Sequence, residues 1–497
     1  MEFSELAQKN PWWKDKNLIM QDRNIKQFQQ SNIQWTPRIK HKFTFNQDII
    51  YTLRGPRQVG KTTLTKTIIK ELLETNIPEQ IFFYACDLVN SPKELAEILE
   101  CYIKGARKIL PNQRLFLFID EISSVNEWQK GVKAIVDQGL LENCTVILTG
   151  SHSIDIKNAS ERLPGRQGNT PNQVVDKIFL PMKFAEYVET QNPKIKSIIK
   201  DELNLLKAKN RLNLILNLLE NPDIPSQIEK LNYYNDELTD LFHRYLLTGG
   251  IVTALDAYLS QKVIPVNVYE THIKAILGDV AHFQKKANYV AQIIQQISKS
   301  LAGPVSWQSI YKQTDLGSHN TVAEYVEFLE ASFTVSTIYQ LDREKNSPMF
   351  KKQKKVYFND PFIFHVLNSW AFSQPPFESA ESYVEKSESC SKLVESIVCD
   401  HLKRLCFSWF PSSNYVNSAY YWRDSSGREV DFVVKLEDKY LPVEVKYQNI
   451  INRSDTHALH TFMRGGRSHR GLVATKNSLQ AGKDIVQIPC YLLLMLI

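Results

Sequence analysis

The residues Gly55-Pro56-Arg57-Gln58-Val59-Gly60-Lys61-Thr62, followed by Thr63, fit G-x-x-x-x-G-K-[ST] at every fixed position. Such a loop holds a polyphosphate. Glycines let backbone N–H groups turn inward, the next helix points its positive end at the charge, and a lysine meets the outer oxygens. Lys61 supplies that ammonium and Thr62 a hydroxyl for Mg²⁺, so ATP with Mg²⁺ is the expected ligand pair. Downstream, the apolar run Leu115–Ile119 closes on Asp120 and Glu121. Asp120 is predicted to hold Mg²⁺ through water, and Glu121 to polarise the attacking water. A further run ends at Thr149-Gly150-Ser151, where Ser151 is either a sensor of the terminal phosphate or plain turn chemistry. Arg162 and Arg166 could reach a neighbouring subunit's nucleotide, Arg166 the stronger candidate, or lie solvated on the surface.

Elements that position these groups are legible in the spacing. The β-like runs Ile49–Leu53, Ile81–Ala85, Leu115–Ile119 and Val146–Leu148 alternate with helix-period segments, which predicts an α/β domain with a parallel sheet over residues 41–187. The phosphate loop follows the first run and opens a helix with Leu64, Ile68 and Leu72 on one face. The run Ile81–Ala85, lying between the phosphate loop and Asp120-Glu121, points to ATPases of the additional-strand type. Residues 1–40, with Pro11-Trp12-Trp13, read as a packed N-terminal arm. Residues 188–300 read as a helical connector, and Gly249-Gly250 within them as turn geometry.

The order of short helix, turn, longer helix and β-rich run over residues 301–371 predicts a winged helix-turn-helix. In its second helix Val322, Val326 and Leu329 face inward and Glu324, Glu327 and Glu330 outward, a poor surface for DNA phosphate. That favours a protein-interface or regulatory role. The basic stretch Lys351 to Lys355 is either a DNA contact or a solvated loop. A Ser/Glu/Pro-rich linker is expected over 372–391, and a second small α/β domain over 392–497.

The chain has 497 residues, 43% of them hydrophobic and 23% charged, enough for about three cores, so a single small module and a disordered polymer are both excluded. Sixty Lys+Arg against 54 Asp+Glu give a net charge of +6, which permits a nucleic-acid partner without arguing for one. Seven cysteines with no CxxC pair indicate neither a disulfide framework nor a zinc ribbon. No apolar run reaches the roughly 20 residues of a membrane span, and a cytoplasmic location is expected.

The segments GPRQVGKTT, LFLFIDEI, NEWQKGVKAIVDQG, ILTGS, FLPMKFAEYV and YLLTGG together resemble the bacterial and archaeal AAA-family ATPases that carry a C-terminal domain of unknown function. The resemblance covers nearly the whole chain. It implies an ATP-hydrolysing core, a winged-helix middle and a C-terminal nuclease-like fold. In that last part Asp431, then Glu444-Val445-Lys446, reproduces the D…E-x-K pattern of the PD-(D/E)XK nucleases, whose restriction-endonuclease-like α/β fold is expected here. Glu444 and Lys446 fall on one face of a strand. Asp431 and Glu444 are then expected metal ligands, Lys446 an orienter of water, and Glu395 an additional acid on the preceding helix. DNA is the partner this implies. A homo-oligomer or protein partner is the alternative, with the C-terminal fold docking without cleavage.

Overall fold

A computed structural model describes residues 2–151, 174–409, 419–436, 439–466 and 468–497. The chain divides into two compact units, Met1–Leu180 and Pro181–Ile497.

The first unit is built on a five-stranded sheet in the order β2-β3-β4-β1-β5, with β1 Ile49–Arg54, β2 Ile81–Ala85, β3 Leu115–Asp120, β4 Cys144–Gly150 and β5 Asp176–Ile178. Every neighbouring pair is parallel. β1, β3 and β4 are buried throughout, as expected of central strands covered on both faces and written in unbroken apolar runs. Helices α1 (Lys61–Thr75), α2 (Pro92–Ile109) and α3 (Trp128–Asp137) supply the covering. On α1 the buried residues are Leu64, Ile68, Ile69 and Leu73, together with Lys61, Thr65 and Lys66, rather than a face through Leu72. The expectation for the additional strand is corrected. The strand standing between the phosphate-loop strand and β3 is β4, whereas Ile81–Ala85 is the sheet edge.

That edge is closed by the N-terminal arm. The Asn10 side chain accepts from the Phe83 N–H at 2.7 Å, and the indole N–H groups of Trp12 and Trp13 both donate to the Ile81 carbonyl at 3.0 and 2.8 Å. Unpaired edge groups are a template for strand addition, and three side chains remove part of it here. Lys66 of α1 lies over the Trp12 and Phe83 rings and pairs with Asp22, tying the arm to the helix that follows the phosphate loop.

In the second unit, helices α4 (Phe184–Gln191), α5 (Asn235–Thr248) and α6 (Ala287–Lys299) precede a short helix α7 (Trp307–Tyr311), a longer α8 (His319–Ala331) and an antiparallel pair, β6 (Val335–Asp342) with β8 (Lys354–Phe358). β7 is the two-residue Ser347–Pro348. Helices α9 (Pro361–Phe372) and α10 (Ser387–Trp409) lead to β9 (Ala419–Arg423), β10 (Glu429–Leu436), β11 (Lys439–Lys446), β12 (Gly471–Thr475), β13 (Gln480–Ala481) and β14 (Ile485–Pro489), and the chain ends in the buried α11 (Cys490–Leu496). β6 pairs in parallel with β9, so β6 to β14 form one nine-stranded mixed sheet.

Two expectations fail here. The stretch 372–391 is mostly helical, with Pro376–Glu385 and the start of α10. Pro376 occupies the first helical turn, where a missing N–H costs nothing, and Phe377, Ala380 and Val384 are buried among the Ser and Glu residues that suggested a linker. Glu330 also turns inward, accepting from the Thr337 N–H of β6 at 2.6 Å, while Glu324 and Glu327 are exposed.

Asn10→Ala should leave the buried Phe83 N–H without its acceptor and lower stability by about 1–3 kcal/mol. Urea unfolding checks this, and an unchanged midpoint would show that the arm does not guard the edge.

Candidate functional site

The phosphate loop runs from the end of β1 into α1, and its shape follows from two glycines. A Cβ at Gly55 would collide with the Phe179 carbonyl oxygen, which immediately follows β5, and Gly60 sits at φ +100°. Gln58 also adopts a positive φ of 61°. Lys61 is buried, its ammonium resting on the carbonyls of Gly55 and Pro56 at 2.9 Å each, so these carbonyls hold the charge over the loop.

Asp120 and Thr62 lie in contact. The Thr62 hydroxyl donates to Asp120 Oδ2 at 2.7 Å. The other oxygen, Oδ1, accepts from Thr149 Oγ1, and the same Thr149 oxygen accepts the Glu121 N–H at 3.2 Å. Thr149 was missed in the sequence. Its signal was a β-branched hydroxyl one residue before the end of the strand adjacent to β3, which reads as ordinary strand composition. Ser151, the residue singled out there, is 2% exposed and lies just past the end of β4. Arg162 and Arg166 lie outside the described residues.

Glu121 holds a left-handed backbone, φ 49° and ψ 45°, uncommon for a residue with a Cβ. Burial pushes its carboxyl above the ordinary range, with Lys61 pulling the other way and Asp120 adding to the rise. A carboxyl raised in this way is a better proton acceptor once ionised. A hydroxyl and a carboxylate side by side are the oxygen donor pair that Mg²⁺ takes beside a polyphosphate, so these residues fit the metal.

A second group of titratable residues gathers in the C-terminal sheet. Pairing of β9 with β10 shifts register between Val430 and Val433, a bulge that holds Asp431. Asp431 Oδ2 accepts from the Val445 N–H at 2.9 Å, and its own N–H donates to Glu444 Oε2 at 3.3 Å. Lys446 pairs with Glu444 Oε1 at 2.5 Å. Glu395 of α10 accepts from the Tyr357 hydroxyl at 2.6 Å. Between these acids lies the Lys355 ammonium, 3.1 Å from Glu395, 2.7 Å from Glu429 and 3.2 Å from Asp431. The reading of Lys355 as loop or DNA contact is therefore corrected: it is a buried residue of β8, although Lys351 and Lys352 are exposed. Burial, with Asp431 adding, raises Glu395 to about 7 and Glu444 to about 8. Burial opposes ionisation of Asp431 too, but Lys355 and Lys446 hold it below the usual carboxylate range.

Comparison with known proteins bears on the first site. Residues 47–188 match the AAA domain family and contain the loop, Asp120, Glu121 and Thr149. This is an AAA-family P-loop domain. Residues 239–374 and 391–493 match two domains of unknown function, DUF8612 and DUF4143. An uncharacterized protein of Methanocaldococcus jannaschii is 21% identical over 80% of this chain and 75% of its own length. Among solved structures, a Walker-type ATPase of Pyrococcus abyssi is similar at 14% identity and TM-score 0.38, over 64% of this chain and 91% of that one. The Orc1 protein of Aeropyrum pernix, solved in complex with DNA, is similar at 14% identity and TM-score 0.28, over 67% and 88%. No helix among the described residues is long and apolar enough to cross a membrane.

Thr149→Val in the AAA domain keeps the strand and removes the hydroxyl that orients Asp120 and anchors Glu121. Turnover of ATP should fall about 10–100-fold with nucleotide binding retained, as for other partners that orient a metal ligand. Steady-state hydrolysis beside a fluorescent-nucleotide titration checks it, and parent-like turnover would remove Thr149 from the site.

Proposed function

We propose that the chain is a Mg²⁺-dependent ATP-hydrolysing switch whose nucleotide state controls how the second unit meets a partner. The observation that carries this reading is the linked set Thr62–Asp120–Thr149–Glu121, one hydrogen-bonded chain across the ends of three elements. Lys61 would leave the Gly55 and Pro56 carbonyls to meet the β- and γ-phosphates, a stronger acceptor for an ammonium than neutral carbonyls. Thr62 and Asp120 would hold Mg²⁺, which neutralises charge on the phosphates. Glu121 takes the proton of the attacking water.

Coupling has a physical route in the chain itself. Phe179, whose carbonyl abuts Gly55 and whose N–H donates to the Arg54 carbonyl, lies two residues before Pro181, where the second unit begins. Within that unit the Pro181 carbonyl accepts from Arg404 at 2.6 Å and the Phe184 N–H donates to His401 at 3.0 Å, both on α10, the helix that carries Glu395. A shift of the phosphate loop would be felt first by this segment.

The partner class is read from the second unit. Helix α10, the antiparallel strands β9 to β11, the helix His457–Met463 and the parallel strand β12 follow one another in the order a nuclease-like fold requires. Helices α7 and α8 with the β6–β8 pair have the order of a winged helix. Both support DNA as the partner. The competing assignment, a scaffold whose C-terminal domain docks without cutting, is favoured by the position of Lys355 among the acids.

Lys61→Ala should lose nucleotide binding, and Glu121→Gln should bind ATP yet turn it over about 10²–10⁴-fold more slowly. Parent rates in either variant would end the assignment. Since the Glu121 carboxyl is raised and acts ionised, turnover should fall with decreasing pH above the ordinary glutamate range. The measurement is kcat against pH, and a rate flat down to that range would contradict the proposed base.

A further inference from the structure

Strand β8 places Lys355 and Tyr357 on one face, two residues apart, and both side chains point at Glu395 of α10. From the other side the bulged β10 brings Glu429 and Asp431 to the same ammonium. The Lys355 side chain is 1% exposed, so this contact is not a surface ion pair that water can dissolve. Two acids of the cluster have other partners as well: Asp431 the Val445 N–H, and Glu444 both Lys446 and the Asp431 N–H.

A divalent ion in a nuclease-type site needs several carboxylate oxygens at about 2.0–2.6 Å and a free position for water. Glu395 and Asp431, both expected to serve the catalytic site, instead share a fixed ammonium. A metal ion on Asp431 and Glu444, the expected ligand pair, would lie against the ammonium that holds Asp431 and have to displace Lys446 from Glu444. The residues present do not fit a metal.

The geometry points to Lys355 as the resident cation of this cluster: its ammonium takes the place of the divalent metal, and the C-terminal domain is a lysine-neutralised fold that does not hydrolyse phosphodiesters. The wing-like hairpin β6–β8 thereby plugs the site with its own side chain. Lys446, in turn, pairs with Glu444. The proposal is independent of the nucleotide site, and ATP turnover has no part in its test.

The experiment titrates Mn²⁺ into the nucleotide-free full chain, reading free Mn²⁺ by electron paramagnetic resonance and melting temperature in parallel. Wild type and Asp431→Asn should give the same isotherm, and Mg²⁺ with linear DNA should give no Asp431-dependent cleavage. A wild-type Mn²⁺ site lost in Asp431→Asn, or cleavage lost with it, would overturn the proposal. If Asp431→Asn does not fold, Glu444→Gln takes its place in the same comparison. Lys355→Met removes the charge at similar volume and should gain a Mn²⁺ site, raising the melting temperature by roughly 5 °C at about a hundredfold excess over the dissociation constant. A folded Lys355→Met that ignores Mn²⁺ would also overturn it. If Lys355→Met does not fold, the wild-type comparison decides alone.

Discussion

A carboxylate taken out of water must be given partners, and much of this chain's architecture follows from where it places them. Asp120 ends a strand buried along its whole length. It is tolerable there because two hydroxyls, Thr62 from α1 and Thr149 from β4, hydrogen-bond its two oxygens. The sheet order makes this possible. With β4 standing between β1 and β3, the phosphate loop lies one strand away from Asp120, and the tip of the intervening strand reaches both Asp120 and the Glu121 backbone.

The C-terminal cluster meets the same requirement in the opposite way. Hydroxyls are neutral and exchangeable partners, and a threonine that donates to Asp120 can equally turn a lone pair to a cation. A buried ammonium is neither. Lys355 contributes a full charge, fixed by the backbone of β8, and removing it would take the shared buried counter-charge from Glu395, Glu429 and Asp431, the kind of change that costs several kcal/mol. One group of acids is thus held by neutral hydroxyls, and the other by a buried ammonium.

How much of this could be read beforehand differs by site. The phosphate loop, Asp120 and Glu121 were legible because their chemistry is local: a glycine-bracketed loop after a strand, and acids at the end of an apolar run. Thr149 was not, since its role depends on which strand stands between β1 and β3, and sequence order suggested Ile81–Ala85. Lys355 was hidden by its neighbours. In Lys351-Lys352-Gln353-Lys354-Lys355 the first two lysines are exposed, and only the pairing of β8 with β6, Ile338 opposite Lys355, separates a buried cation from a solvated run. The helical stretch around Pro376 was masked in the same way, its three apolar residues diluted by Ser, Glu and Pro.

Continuity of the second sheet gives these placements a consequence for motion. Because β6 pairs with β8 on one side and with β9 on the other, the hairpin bearing Lys355 and the strands bearing Asp431 and Glu444 belong to a single hydrogen-bonded ladder. The hairpin cannot swing away from the acids without breaking the Tyr339–Tyr420 and Gln340–Tyr421 pairs and exposing their backbone groups. Glu395 is held from outside the sheet by α10, whose Ser396 hydroxyl donates to the Phe358 carbonyl at the end of β8 and whose Lys403 donates to Ser336 of β6. A change delivered to α10 from Pro181 or Phe184 would therefore move helix and hairpin together, carrying the ammonium with its carboxylates rather than separating them.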